Sequence, residues 1–280
     1  MSILVRFNGG GWLFPFYFGV GKHLQEQFDV HSHNVRFMGV SAGSIVSSLI
    51  MYNTNFTNVL EDVLAHHNSM KYNPFLIKTY LVKILEKYIP ENNIHIINGK
   101  LGIGVSKPDI FNLRWIAKVI THFKDRYKCI DAIRASCHIP IISGILPFYL
   151  DGCGYYDGEL SYKKDCNCIE VGLSSDATIN PGIKLPRFWK YYPADPYISR
   201  LLFNLGYLRS KEFFKKASLR DLADIDNIME IIKFSLRTSH ISYWRVLRTI
   251  FIYLPILTPQ IFLTLFLLKK VWKLFSYFNI

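Results

Sequence analysis

Acidic side chains are scarce in this 280-residue chain. Only 21 Asp and Glu stand against 33 Lys and Arg, a formal net charge of +12. That imbalance excludes an acidic, solvating polypeptide and suits an anionic partner, either nucleic acid or an acidic lipid surface, without choosing between them. Cysteine is sparse too, with five residues. Cys153, Cys166 and Cys168 lack the spacing of a zinc site, so ordinary thiols are expected and no metal. Met1 to Asn8 contains no apolar run of the length a secretory segment needs, which predicts a reducing, intracellular compartment. No internal repeat is visible. Apolar residues are not lacking: half the chain is hydrophobic and 15% is aromatic. A sizeable core follows, built as one large domain or as one domain with an appendage.

Along the chain, Ile3 to Phe7 reads as a buried strand and Leu13 to Phe28 as a helix, with Pro15 tolerable only in its first turn. Val35 to Val40 is a second strand and Ala42 to Met51 a second, largely buried helix. Strand and helix alternate here within about fifty residues, the signature of a parallel sheet of the α/β class. An amphipathic helix is predicted over Pro74 to Ile89, strands over Leu101 to Ser106, Arg114 to Thr121 and residues 167–173, and a helix over Lys128 to Cys137 closed by Pro140. Ser174 to Pro196 is rich in Pro, Gly and polar residues and reads as loop.

The last eighty residues differ in texture. Leu201 to Lys216 and Asp224 to Leu236 read as helices, and Thr249 to Leu268 is an uncharged stretch flanked by Arg245 and Arg248 before it and Lys269, Lys270 and Lys273 after it. Its length matches a bilayer core of about 30 Å, but Pro255 and Pro259 would kink a helix and the flanks give no topology. Three readings stay open: a single span, a kinked or re-entrant segment in one leaflet, and a helix packed on the protein's own core.

Gly39-Val40-Ser41-Ala42-Gly43 fits G-x-S-x-G and lies between a predicted strand and a predicted helix. In that setting the serine occupies a strained turn at the sheet's carboxyl edge, and the glycines let the two backbones approach. The plainer alternative makes Ser41 a helix cap. An ester hydrolase also needs donors for an oxyanion. Gly9, Gly10 and Gly11 follow the first strand, so their amides can converge near Ser41. A phosphate loop is the competing reading, yet G-G-G-W-L-F has neither the Lys-Ser/Thr of a P-loop nor the third glycine of a dinucleotide fingerprint. About thirty residues separate Gly11 from Ser41, one strand-helix-strand step, where an α/β-hydrolase would place several strands. The base need not then be histidine. His240 is the only histidine downstream of the candidate aspartates and sits in the helical tail.

Residues 7–24 and 39–46, followed by A-I-R-A-S-C-H-I-P-I-I-S-G-I-L-P-F-Y-L-D-G-C-G-Y-Y-D-G-E at 132–159, resemble the patatin-like phospholipases, closest in motif style to their animal triglyceride-lipase branch. The resemblance covers roughly residues 3–173. It implies a three-layer α/β/α fold with a mostly parallel central sheet. It also implies a serine–aspartate dyad without histidine, here Ser41 and Asp157, and an oxyanion hole from Gly9, Gly10 and Gly11. Asp151-Gly152 is a second Asp-Gly and a weaker candidate for the base. Three features depart from the family pattern: Phe14 stands where the branch has the last glycine of G-x-G-x-x-G, the basic residue that plant and bacterial members carry soon after the glycines is missing at Trp12 and Leu13, and Asp-Gly-Gly has become Asp157-Gly158-Glu159.

The organisation expected is a catalytic domain over residues 1–175, a linker and helical extension over 176–240, and a hydrophobic, basic, membrane-associating helical tail over 241–280. The expected activity is hydrolysis of ester bonds in phospholipid or neutral glycerolipid at a membrane or lipid-droplet surface, with no cofactor and no nucleic acid. A lipid transacylase, or a catalytically silent lipid-binding relative, is the alternative.

Overall fold

The computed structural model describes residues 3–32, 34–72, 76–109, 112, 114–140, 143–161 and 167–238. The uncharged stretch 249–268, the tail 241–280, His240 and Cys166 lie outside the described residues. Among those described, no helix is long and apolar enough to cross a membrane.

Strand β1 (Ile3–Phe7) runs to a short 3-10 turn at Gly11–Leu13 and helix α1 (Phe14–Gln27). β2 (Val35–Val40) and α2 (Ala42–Met51) follow, then α3 (Phe56–Ala65), α4 (His67–Tyr72), α5 (Ile77–Tyr88) and α6 (Ile94–Ile97). β3 (Leu101–Asp109) and β4 (Arg114–Ile120) form a hairpin, and α7 (Arg126–Ser136) leads to β5 (Phe148–Leu150) and β6 (Cys153–Asp157). β7 (Ile169–Val171) completes the sheet, and α8 (Pro196–Phe213) and α9 (Leu219–Thr238) close the described chain.

The seven strands run in the order β5-β6-β3-β2-β1-β7, with β4 paired to β3 off that path. β7, β1, β2 and β3 are mutually parallel. Beyond β3 the sheet turns antiparallel through β6 and β5. So the parallel half is the one the alternating strands and helices predict, and a mixed edge is added to it. Helices pack on the sheet in a three-layer α/β/α arrangement, α2 against β1, β2 and β3, and α7 against β3, β5 and β6. Central β1 buries Val5 and Phe7 on one face and Arg6 on the other, as expected of a parallel strand covered on both faces.

Helix ends differ from their predicted limits where polar caps decide them. α8 begins at Pro196, five residues before Leu201, because the Asp195 side chain accepts the Tyr197 amide at 2.9 Å and proline suits a first helical position. α9 begins at Leu219, before Asp224, through a reciprocal cap in which the Ser218 amide meets Asp221 Oδ2 at 2.7 Å and the Asp221 amide meets Ser218 Oγ at 3.2 Å. α1 and α8 pack backbone to backbone. A Cβ on Gly19 would stand 1.8 Å from Phe203 O, and one on Gly206 2.0 Å from Phe16 O. This contact backs the helix that follows the glycine run.

Candidate active site

Ser41 stands between β2 and α2 with φ +52° and ψ −127°, a backbone conformation that costs an ordinary residue about 1–3 kcal/mol. The flanking glycines make the turn possible. A Cβ on Gly39 would lie 2.1 Å from Gly43 O, and a Cβ on Gly43 2.3 Å from Phe7 O, so only bare backbone lets α2 start this close to β1 and β2. The turn presents the serine hydroxyl above the amino end of α2, where the helix dipole favours negative charge.

Asp157 arrives from the other half of the sheet. β6 pairs antiparallel with β3, setting Asp157 opposite Val105, and Gly158 follows so closely that a Cβ there would meet Gly104 O at 2.3 Å. Ser41 Oγ donates to Asp157 Oδ2 at 2.7 Å. Asp157 Oδ1 accepts the Glu159 amide at 2.9 Å, and the Asp157 amide donates to His138 O at 2.9 Å. The carboxyl is only 4% exposed. Burial pushes its pKa up to about 6, against the opposing pull of the Glu159 amide and the Ser41 hydroxyl; the Glu159 charge raises it further and Lys190 lowers it.

Asp151 is in a different place. It sits at a turn with φ +49°, exposed, and pairs with Lys128. Of the described histidines, His138 lies nearest in sequence to Asp157, and its Nε2 bonds Leu146 O at 2.9 Å. The glycine run follows β1, with Gly11 at φ +52° and pressed against Lys190 O, where a Cβ would stand at 1.9 Å. Its three amides are not equivalent. The Gly9 amide donates to Glu159 Oε2 at 3.0 Å, whereas those of Gly10 and Gly11 have no partner among the described residues.

Two contributors escaped the sequence reading. Ser136, at the end of α7, accepts the Ser41 amide at 2.8 Å and donates its own proton to Gly104 O at 2.6 Å. The segment read as loop returns as a 3-10 turn at Arg187–Lys190, and Lys190 and Tyr191 form part of the cavity over Ser41. No local pattern in either segment announces a contact so distant in sequence.

That cavity measures about 110 Å³, and Ser41 is among the residues that line it. Phe14, Phe18, Ile45, Leu81, Ile84, Cys137 and Ile139 are among the apolar residues of its wall. An apolar chain fits such a lining.

A family model described as patatin-like phospholipase matches residues 6–164. Human 1-acylglycerol-3-phosphate O-acyltransferase PNPLA3 is 28% identical over 168 residues, 56% of this chain and 34% of that protein. Mouse omega-hydroxyceramide transacylase is 23% identical over 175 residues, 58% of this chain and 28% of that one. Human patatin-like phospholipase domain-containing protein 2 is 25% identical over 166 residues, 56% and 32% of the two. The chain thus spans about a third of the length of these curated relatives. VipD from Legionella pneumophila superposes with a TM-score of 0.35 and 13% identity, covering 61% of this chain and 50% of that one.

Proposed function

Because the chain belongs to the patatin-like phospholipase family, we propose that it is a lipid acyl hydrolase working through a Ser41–Asp157 dyad on phospholipid or neutral glycerolipid. The observation that carries this reading is the 2.7 Å contact from Ser41 Oγ to Asp157 Oδ2, with Ser41 lining an apolar cavity. Ser41 Oγ attacks the ester carbonyl as its proton passes to Asp157, and a tetrahedral oxyanion forms against amides of the glycine run. Collapse breaks the bond to the alcohol, which takes the proton from Asp157 and leaves an acyl chain on Ser41. Water, deprotonated in turn by Asp157, then attacks the acyl-serine; collapse of that second tetrahedral intermediate breaks the bond to Ser41 Oγ, which takes the proton back from Asp157 as fatty acid leaves. Every proton in this cycle moves among Ser41, Asp157, water and alcohol, so the scheme asks for no cation or cofactor.

Asp157 suits the base's part because burial brings its pKa to about 6, closer to neutral than an ordinary carboxyl. A catalytically silent protein has no need of this contact, nor of a serine held in a strained turn. The same acyl-serine would serve a transacylase if a lipid alcohol entered in place of water, and two of the relatives carry acyltransferase or transacylase in their names. Incubating the purified protein with a mixed lipid extract separates the readings. Free fatty acid as the main product supports hydrolysis, acylated lipid alcohols support transfer, and an unchanged extract overturns both.

A membrane or droplet surface is the proposed place of action, in keeping with the net charge of +12 and the uncharged stretch 249–268 with its basic flanks. Sedimentation of the full chain with anionic vesicles through a high-salt wash is the expected result.

A further inference from the structure

Where the family pattern puts a second glycine after Asp157-Gly158, this chain has Glu159. Its side chain turns back across the site and lies along Gly9. Oε2 accepts the Gly9 amide at 3.0 Å, and a Cβ built on Gly9 would stand 2.5 Å from that oxygen. The same residue is held from its other end, since the Tyr17 hydroxyl donates to Gly9 O at 3.2 Å. Tyr17 is fully buried, and its ring lies against Gly10, where a Cβ would meet Cε2 at 2.7 Å. Glu159 also donates its own amide to Asp157 Oδ1 at 2.9 Å. One residue therefore touches both the carboxyl beside Ser41 and the glycine run.

We propose that Glu159 is a positioning residue that ties down the Gly9 amide and leaves oxyanion binding to the amides of Gly10 and Gly11. The proposal rests on the serine hydrolase reading above. Glycine has more backbone freedom than any other residue, so three in succession do not hold their amides in one orientation unaided. A carboxylate on an amide makes a charge-assisted bond, stronger than a neutral one, and with Tyr17 it fixes Gly9 at both its amide and its carbonyl. The next two amides are then oriented by a rigid neighbour, and Gly11 borders the cavity that contains Ser41. Oriented donors stabilise an oxyanion without reorganising during the reaction. The charge has a second effect. Asp157 faces the Glu159 carboxylate, the Lys190 ammonium, the Cys137 thiol and the Ser41 hydroxyl, and the Glu159 charge is among the causes that raise it.

The test compares wild type, Glu159→Gln and Glu159→Ala in the full chain in detergent. Glutamine keeps an oxygen for the Gly9 amide and alanine does not. Alanine is expected to lower kcat about 10- to 100-fold with KM changed less than about 3-fold, the scale of a misplaced or lost oxyanion donor. Glutamine should restore kcat to within about 3-fold of wild type by keeping the hydrogen bond. Both variants should move the acid limb of the pH–rate profile to lower pH, because both remove the charge. A readout independent of turnover is the Gly9 amide itself. Labelling Asn carbonyls with 13C and Gly amides with 15N selects only the Asn8-Gly9 and Asn98-Gly99 peptides. The Gly9 proton should shift upfield in Glu159→Ala but not in Glu159→Gln, with Gly99, bonded to Thr121 O, as the fixed control. An unmoved Gly9 signal in Glu159→Ala, equal kcat losses in the two variants, or faster turnover in Glu159→Ala would each overturn the proposal. A wild-type chain that neither cleaves esters nor takes a fluorophosphonate at Ser41 would overturn the functional reading instead, and the Gly9 shift distinguishes that failure from this one.

Discussion

The Ser136 hydroxyl accepts the Ser41 amide at 2.8 Å while donating to Gly104 O at 2.6 Å, so the strained turn is tied through α7 to the middle of β3. Both ends of this bridge are buried. Ser136→Ala should leave the Ser41 amide without this partner, break the bond to Gly104 O, and cost about 1–3 kcal/mol of stability. The same change should slow fluorophosphonate labelling of Ser41, since the turn loses the anchor that aims its hydroxyl. Urea unfolding and labelling rates read the two effects separately, and a stability loss with unchanged labelling would reduce Ser136 to a packing role.

Ser41→Ala should abolish lipid hydrolysis and fluorophosphonate labelling while leaving unfolding within about 1 kcal/mol of wild type. Alanine inherits the same positive φ, and the backbone contacts of Gly39 and Gly43 are untouched, so the turn persists without its hydroxyl. Retained turnover in this variant would remove Ser41 from the mechanism.

Gly43→Ala tests the architecture rather than the chemistry. Its Cβ would stand 2.3 Å from Phe7 O and 2.6 Å from Phe7 C, backbone that cannot swing aside. Overpacking of this kind costs about 1–3 kcal/mol, and here it would push α2 away from β1 and carry Ser41 with it. A lowered Tm together with lost activity is expected.

The two ends of the site were unequally legible. β1, β2, α2 and the Ser41 turn carry their signal within a few residues, as apolar runs joined by obligatory glycines, and their predicted limits match those found. Asp157 was reachable because the motifs around it resemble a family, not because its neighbourhood announces a carboxyl at Ser41. β5 and β6 are short strands, β5 paired to β6 and β6 to β3, so periodicity alone does not define them. Ser136, Glu159 and Lys190 reach the site across the fold, from positions where serine, glutamate and lysine are ordinary surface or helix-end choices. α3 is a different kind of omission. The Asn55 side chain caps it by accepting the amides of Thr57 and Asn58, and Phe56, Val59 and Leu60 make its buried face, a pattern present in the sequence but assigned to no element above.

Leu81 offers a test of the cavity. It lines the wall from α5, a different element from the turn that holds Ser41, so Leu81→Trp should fill space for an acyl chain while leaving Ser41 and Asp157 unchanged. Long-chain esters should lose kcat/KM by about 10-fold or more, on the order of the 1–3 kcal/mol that pocket fit contributes. A short water-soluble ester should be cleaved at nearly the wild-type rate. Equal losses on both substrates would move the acyl chain out of this cavity.

Asp157 ties activity and stability to pH in opposite senses. As a base it must be ionised, so kcat/KM should fall about tenfold per unit below pH 6 and level off above it, with an apparent pKa near 6. Stability follows from the same shift. The folded pKa, about 6, lies above the ordinary 3.8, so the folded state favours the protonated carboxyl. The stabilising contribution of that protonation is present in full below about pH 4 and is lost as pH rises through 6. Asp157→Asn removes the buried charge yet keeps the shape: its oxygen can accept the Glu159 amide, and its nitrogen can donate to Ser41 Oγ. At about 1.4 kcal/mol per pKa unit the difference is on the order of 3 kcal/mol. The variant should therefore be inactive and more stable than wild type at pH 7.5, with the gain vanishing near pH 4. Asp151→Asn, which loses only an exposed pairing with Lys128, should change neither activity nor stability by much. Paired urea titrations at the two pH values decide the matter: an Asp157→Asn variant that is destabilised at pH 7.5 would mean that the carboxylate is held by more than the contacts described, and that its charge is not a cost the fold bears for catalysis.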